Sequence, residues 1–383
     1  MRGVAIVGLG MTKIKAHWDK SMRDLFAEAA LKAIDDSGNL EPQVLYVSSM
    51  LSGELSGQSA LGPYVAEYCG LRDIPAIRIE GACSSGGVAL HEAIQAVSSG
   101  AYDTVLVGGV EKLTEYPTSI VTSALAEASE QEYEAYFGAT FVSLNALLMR
   151  YYMNKYGVKY EDMAEWPVLM HENGSVNPYA QLPFKTTIER VISSPLIADP
   201  IRLFDCAPTG VGASALLVTT YDNAKKVTDT PVRIVGYGVG TDFISISLRE
   251  RLDLLRASIN ASNKAYKMAR VKPEDVDVAE IHDAFTIMAI LSIEDLGFSK
   301  KGEGVRELKE GRFRKGDKPS INPSGGLKSR GHPVGATGIY QAAEVAMQLR
   351  GDAGPIQVDG VEVGLTQNIG GAGTSITVFI YKL

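Results

Sequence analysis

The chain carries the same pattern twice. VAIVGLGMT at Val4–Thr12 resembles VRIVGYGVGT at Val232–Thr241, and the alignment sets Gly8 opposite Gly236. Each copy continues with a helical pattern, SMRDLFAEAALKAIDDSG and then LRERLDLLRASINASNKAYKMA, followed by a strand, VLYVSSM or VAEIHDAF. A second helix follows, PYVAEYCGL or TIMAILSIEDLGF. A short strand then leads into a glycine-rich turn and a third helix, and a strand ending in glycines closes each unit, TVLVGGV or VGLTQNIGGAG. Such alternation predicts α/β layers with apolar strands buried beneath helices. It divides the chain into halves at 1–228 and 229–383. The copies differ in one place. In the second, SITVFIYKL follows the glycine turn at once; in the first, the matching ASALLVTTY comes after a segment at about 111–200. A long insertion at a strand end reads as a lid or binding subdomain. A solvated contact between copies in an oligomer is the plainer alternative.

Composition narrows the partners. A net charge of -8 and a pI near 5.3 supply no basic face to neutralise phosphates, which argues against nucleic acid. No apolar run reaches the ~20 residues of a membrane span, and the N-terminus reads as a first strand rather than a signal peptide. The three cysteines, Cys69, Cys83 and Cys206, lie far apart without metal-ligand spacing. They suit a reducing cytoplasm. The final YKL is not the SKL peroxisomal address. The GLG of VAIVGLGMTK is not a dinucleotide fingerprint, because Lys13 stands where the third glycine belongs.

Four stretches carry candidate chemistry. In GACSSGG, Cys83 lies between a strand and a helix that begins near Ser84. Free N–H groups and the positive end of the helix dipole there favour a thiolate, so a lowered pKa is expected. Taken alone, Cys83 is more simply a buried structural cysteine, and Cys69 and Cys206 take that reading. GHPVGATG occupies, in the second copy, the turn that holds Cys83 in the first. A pseudo-twofold pairing of the halves brings Cys83 and His332 together as nucleophile and base; a solvent-facing turn histidine is the alternative. In EIHDAFT, His282 ends an apolar strand and can donate to a thioester oxygen, unless Asp283 pairs with it structurally. In QNIGGAGTS, adjacent glycines free backbone N–H groups for a developing oxyanion.

The order CSSG, HDAF, GHPVGATG, NIGGAG resembles the thiolase superfamily over essentially the whole chain, nearest to the sterol-carrier and archaeal acetyl-CoA acetyltransferase type. The resemblance implies a five-layer α/β/α/β/α fold of two βαβαβαββ halves with an inserted loop domain. It implies acyl transfer from acyl-CoA to Cys83, then condensation of two acetyl-CoA to acetoacetyl-CoA, or the reverse thiolysis. By the same likeness His332 accepts the thiol proton and contributes to the oxyanion hole for the second substrate's thioester, and His282 replaces an asparagine that helps stabilise that same oxygen. The N–H groups of Cys83 and Gly370 form the hole for the acyl-enzyme oxygen. Acyl-CoA and CoA are the ligands, with no metal or further cofactor. A homodimer or homotetramer is implied, as is association with a partner synthase and a small scaffold protein. One departure stands out: the family's second cysteine is absent, with Ala284 and Asn368 at its two usual positions. That leaves open a thiolase-fold acyl-CoA- or lipid-binding or scaffold protein without condensation activity, or another ketoacyl synthase-like acyltransferase. It also leaves open which group serves as base for carbon–carbon bond formation: His332, His282 or a water they hold.

Overall fold

A computed structural model describes residues 2–383. The first copy runs β1 (Val4–Met11), α1 (Met22–Asp36), β2 (Val44–Ser48), α2 (Leu61–Tyr68), β3 (Ala76–Ile79), α3 (Ser85–Ser99) and β4 (Thr104–Glu111). Residues 112–211 follow, with α4 (Thr118–Ala126), α5 (Phe141–Tyr156), α6 (Tyr160–Met163), α7 (Glu165–Gly174), α8 (Ile188–Ile192) and the ribbon of β5 (Leu196–Ala198) and β6 (Ile201–Arg202). Then come β7 (Gly212–Thr220) and α9 (Tyr221–Val227). The second copy holds β8 (Val232–Thr241), α10 (Arg256–Ala269), β9 (Val278–Glu280), α11 (Thr286–Asp295), α12 (Gly304–Lys309) and β10 (Ser320–Ile321). It closes with α13 (Gly326–Arg330), α14 (Thr337–Arg350), β11 (Gly364–Gly370) and β12 (Ser375–Lys382).

The sequence repeat is a repeat of topology. From its outer edge inward, the first half orders its strands β3-β2-β4-β7-β1, and the second orders them β10-β9-β11-β12-β8. In both, the outer three strands are parallel and the inner two antiparallel. The halves join into one ten-stranded sheet through β1 and β8, whose pairing covers only Ala5↔Arg233 and Ile6↔Val232.

Three apolar layers hold the sheets. On the outer face of the first half, Leu25, Phe26 and Ala30 of α1 and Val65 of α2 pack on Leu45, Val47, Leu106 and Leu217. Between the halves, Leu90 and Val97 of α3 and Ile339 and Val345 of α14 pack among Val105, Val107, Leu216, Val218, Phe379 and Tyr381. On the far face of the second half, Ala261 and Ala265 of α10 and Ile287 and Leu291 of α11 cover Val378 and Ile380. Tyr152 of α5 and Trp166 of α7 extend that layer. The order is therefore α/β/α/β/α, as the resemblance implies. Alternate residues of β7 serve the two faces, the period of two expected of a strand covered on both sides.

The glycines spaced two apart in GLG and GYGVG have a packing role. A Cβ on Gly8 or Gly10 would stand 2.0 or 2.1 Å from the carbonyl oxygens of Ala33 or Ala29 on α1. On Gly236, Gly238 and Gly240 it would stand 2.3, 2.1 and 2.2 Å from those of Ala265, Ala261 and Ala257 on α10. Each half thus seats an outer helix flush on a glycine track, with alanines as the helix's matching face.

One element differs from expectation. The pattern LRERLDLL predicts that the second copy's first helix starts before Arg256, but α10 starts at Arg256. Tertiary partners capture the preceding backbone. The Arg249 guanidinium donates to the carbonyls of Phe243 and Ala372. Asp253 accepts from Lys155, Tyr156 and Arg251, and the Leu255 N–H goes to Asp295. Among the described residues, no helix is long and apolar enough to cross a membrane.

The glycine tracks yield a stability prediction. Gly238→Ala is expected to destabilise the fold by ~1–3 kcal/mol, the usual range for overpacking a tight core, read as a lowered denaturant midpoint. Gly53→Ala, where an added Cβ finds its nearest atom at 3.8 Å, is expected to leave the midpoint unchanged. Equal effects would refute the account of the tracks.

Candidate active site

Cys83 sits in a single 3-10 turn, Ala82–Ser84, that joins β3 to α3. Ala82 holds φ +54°, a left-handed conformation unusual for a residue with a Cβ. The two serines of CSSG hold the turn. Ser84 Oγ donates to Gly81 O at 2.6 Å, Ser85 Oγ donates to Ala82 O at 2.5 Å, and Ser85 Oγ accepts from Gly81 N at 2.9 Å. Gly370, the last residue of β11, lies against this turn: a Cβ there would stand 2.5 Å from Gly81 O and 2.7 Å from Ser84 Oγ. The backbone N–H groups of Cys83 itself and of Gly371 face the thiol.

The lowered thiol pKa expected at a helix start is not found. Burial pushes the Cys83 thiol up to about 12, and the neighbouring Glu111 carboxylate adds to the rise, outweighing the facing N–H groups. Only 9% of the residue is exposed. Desolvation of a thiolate therefore decides the resting state, and the sulfur carries its proton.

The second turn mirrors the first. His332 precedes another 3-10 turn, Val334–Ala336, which leads into α14. Gly331 takes φ +114°, and a Cβ there would stand 2.6 Å from Ile14 and Gln181, so only glycine lets the chain turn into His332. His332 Nδ1 lies 2.7 Å from Thr337 Oγ1, and that hydroxyl donates its one proton to Pro333 O at 3.1 Å. With that proton given to Pro333 O, Nδ1 carries the ring proton and donates to Thr337, leaving Nε2 as a free acceptor. Burial, with the Arg330 charge beside it, lowers the His332 pKa to about 3. The imidazole is neutral and ready to accept a proton.

His282 follows β9 and is 2% exposed. Its ring stands edge-on to His332, with centroids 5.1 Å apart and planes at 87°. Burial, then the neighbouring His332 and Arg330, hold its pKa well below the usual value. Asp283 does not pair with His282. It accepts from Leu327 N at 2.7 Å and from Trp166 Nε1 at 3.1 Å, tying α13 to the inserted segment. Asn368 Nδ2 lies 3.0 Å from His282 Nδ1.

Cys83, His282 and His332 line one cavity. Its apolar wall includes Phe285, Met288, Val334 and Ile369, while Leu125, Phe141 and Asn145 come from the inserted segment. Ala284 lines it where the family places a thiol. Cys69 is buried and caps α2 in the outer core, whereas Cys206, only partly buried, rests its sulfur on Arg202 O at 3.7 Å.

Three supporting residues escaped the sequence reading. Glu111 ends β4, is 1% exposed, and accepts from Ser49 Oγ (2.9 Å), Met50 N (2.8 Å), Leu51 N (3.1 Å) and Gly335 N (2.9 Å). It pins the His332 turn to the first half. Its signal was a lone carboxylate closing the apolar run TVLVGGVE. Arg330 pairs with Glu344 at 3.0 Å, both fully buried, directly before the His332 turn. Thr337 was visible only as the hydroxyl one helical turn after His332.

Known proteins share the sequence and fold around this site. Residues 4–194 match the family described as thiolase, N-terminal domain, and residues 238–383 match the thiolase C-terminal domain-like family. An acetyl-CoA acetyltransferase of Methanothermobacter thermautotrophicus is 46% identical over 385 residues, covering 100% of both chains. The fold is shared with an Ltp2-ChsH2(DUF35) aldolase, at TM-score 0.85 and 23% identity over 99% of this chain and 97% of that one. It is also shared with human mitochondrial 3-ketoacyl-CoA thiolase, at TM-score 0.75 and 20% identity over 100% and 98%. Two repeated α/β halves around a buried cysteine and two histidines define a thiolase-fold acyl-transfer protein. The chain belongs to the thiolase family.

The neutral resting pair has a kinetic signature. Because the thiol pKa is raised, the thiolate fraction is small at neutral pH and grows about tenfold per pH unit. Iodoacetamide labelling of Cys83 in the free enzyme is expected to accelerate continuously from pH 6 to 9. A plateau above about pH 5 would indicate a preformed thiolate–imidazolium pair instead.

Proposed function

We propose that this chain is an acetyl-CoA C-acetyltransferase. It condenses two acetyl-CoA to acetoacetyl-CoA, or cleaves 3-ketoacyl-CoA with CoA, through an acyl-cysteine. The observation that carries the reading is the shared cavity: the Cys83 thiol, the His332 ring with its free Nε2, and His282 all open onto it. The full-length similarity to an acetyl-CoA acetyltransferase supports the substrate.

In the first half-reaction His332 Nε2 takes the Cys83 proton as sulfur attacks the thioester carbonyl. Proton transfer is concerted with attack, because a free thiolate is disfavoured in this cavity. The N–H groups of Cys83 and Gly370 receive the developing oxyanion, while the Gly371 N–H faces the sulfur. The C–S bond to CoA breaks and His332 returns the proton to the departing thiolate. In the second half-reaction the second thioester oxygen sits against the His282 N–H. His332 Nε2, its proton already given to the departing CoA, removes a proton alpha to that carbonyl, and the resulting carbon nucleophile attacks the acyl-Cys83 carbonyl. The Cys83–acyl bond breaks, and the sulfur recovers the proton. The chemistry calls on no cofactor beyond the CoA thioester, since every proton and charge has a protein group to receive it.

The same reading includes a homodimer or homotetramer in the cytoplasm, and assembly with a partner synthase and a small scaffold protein. The sheet ends at β3, where Ile77 is 48% exposed, and the three thiols are free. The likeness to an aldolase whose name joins two components supports a partner.

Incubation with acetyl-CoA is expected to acetylate the peptide containing Cys83, seen by mass spectrometry, and to do so in wild type but not in Cys83→Ala. Initial rates with two varied substrates are expected to give the parallel reciprocal plots of a ping-pong enzyme. Absence of the adduct overturns the proposal.

A further inference from the structure

We propose that Asn368, standing where thiolases carry their second cysteine, fixes the proton of His282 on Nε2, so that this ring can donate to a substrate oxygen but cannot act as base. The proposal rests on the thiolase reading above and deepens it. Asn368 lies on β11 and is 2% exposed. Its Oδ1 accepts from Gly87 N at 3.1 Å; its Nδ2 donates to Cys83 O at 3.2 Å and faces His282 Nδ1 at 3.0 Å.

Those contacts settle which way the amide points. A backbone N–H only donates and a carbonyl only accepts. Rotating the amide by half a turn would set its NH2 against Gly87 N–H and its oxygen against Cys83 O, exchanging two hydrogen bonds for two repulsions. The side chain cannot drift away either. A Cβ on Gly338 would stand 2.4 Å from Asn368 Oδ1, and one on Gly87 would stand 3.1 Å from it. The amide therefore occupies a slot between the first turns of α3 and α14 that only glycines leave open.

With an NH2 aimed at it, His282 Nδ1 must present its lone pair. A neutral imidazole has one ring proton, which then resides on Nε2. Burial keeps the ring neutral, with His332 and Arg330 discouraging a second proton. The two histidines thus hold opposite tautomers. Thr337 keeps the His332 proton on Nδ1 and frees Nε2 to accept; Asn368 keeps the His282 proton on Nε2. Of the two rings only His332 can take a proton, so it serves both the thiol and the alpha carbon. Asn368 is a positioning residue: it acts on substrate through His282.

The test reads the tautomer directly. Two-bond proton–nitrogen correlation spectra of the 15N-histidine-labelled full-length enzyme, with His282 assigned by its loss in His282→Gln, are expected to show the Nε2–H pattern. Asn368→Asp replaces the donor by an acceptor. It is expected to draw the His282 proton to Nδ1, or to add a second one, and to lower kcat for acetoacetyl-CoA thiolysis by ~10²–10³, the usual loss for one oxyanion donor. KM is expected to stay within about threefold, as for an interaction made in the transition state. A wild-type Nδ1–H pattern overturns the proposal, as does an unchanged pattern or unchanged kcat in Asn368→Asp. Should that variant fail to fold, the wild-type spectrum alone decides. Acetylation of Cys83 in the wild type is scored separately: its absence removes the catalytic reading, whatever tautomer His282 holds.

Discussion

The contact on which the site depends is that between the first turns of two related helices in the middle layer. A Cβ on Gly86 of α3 would stand 2.9 Å from the backbone nitrogens of Gly338 and Ile339 on α14, and one on Gly338 would stand 2.4 Å from Gly87 N. Backbone meets backbone there, with the Asn368 amide alone inserted beside the contact. The turns just before these helices carry Cys83 and His332. The nucleophile and its base are therefore placed by main-chain packing rather than by the conformations of long side chains. The approach also brings two positive helix ends together, so charge that appears on an oxygen or sulfur during reaction meets fixed dipoles that need no reorientation.

Charge is kept out of the cavity at rest and held just behind it. The thiol is protonated and both imidazoles are neutral, because burial disfavours their ionised forms. Ionisable groups occupy the next layer. Arg330 and Glu344 pair within the second half, where burial raises the Glu344 pKa to about 7 and raises that of the adjacent Glu280. Glu111 binds the His332 turn from the first half. Three of its four donors are backbone N–H groups, which offset only part of the burial that raises its pKa. The Arg330 charge also bears on both histidines, keeping each from gaining a proton before substrate arrives.

Much of this was legible in the sequence because it is periodic or because it is repeated. The two copies of strand, helix and glycine turn foretold two sheets of equal topology, and the placement of Cys83 and His332 in corresponding turns foretold that they would share a cavity. What was not legible depends on distance across the fold. The LRERLDLL stretch has helical periodicity, yet partners elsewhere in the fold for Arg249, Asp253 and Leu255 draw it into an irregular path. The helix-start argument predicted an acidic Cys83; it omitted the apolar walls brought by the inserted segment and α11, which reverse the sign. Asp283 is adjacent to His282 in sequence but turns to Leu327 and Trp166. Asn368 was visible as the residue at a second-cysteine position, but its action on His282, like the part Thr337 plays, shows only in the direction of hydrogen bonds.

The narrow seam between β1 and β8 has a mechanical consequence. Two residue pairs are too few to clamp one half of the sheet against the other, whereas the apolar middle layer runs through both. Torsion between the lobes is resisted at the interior helices, so the stiffest region of the molecule coincides with its reacting atoms. Deformation imposed from the periphery is taken up at the seam and the rim before it reaches the sulfur.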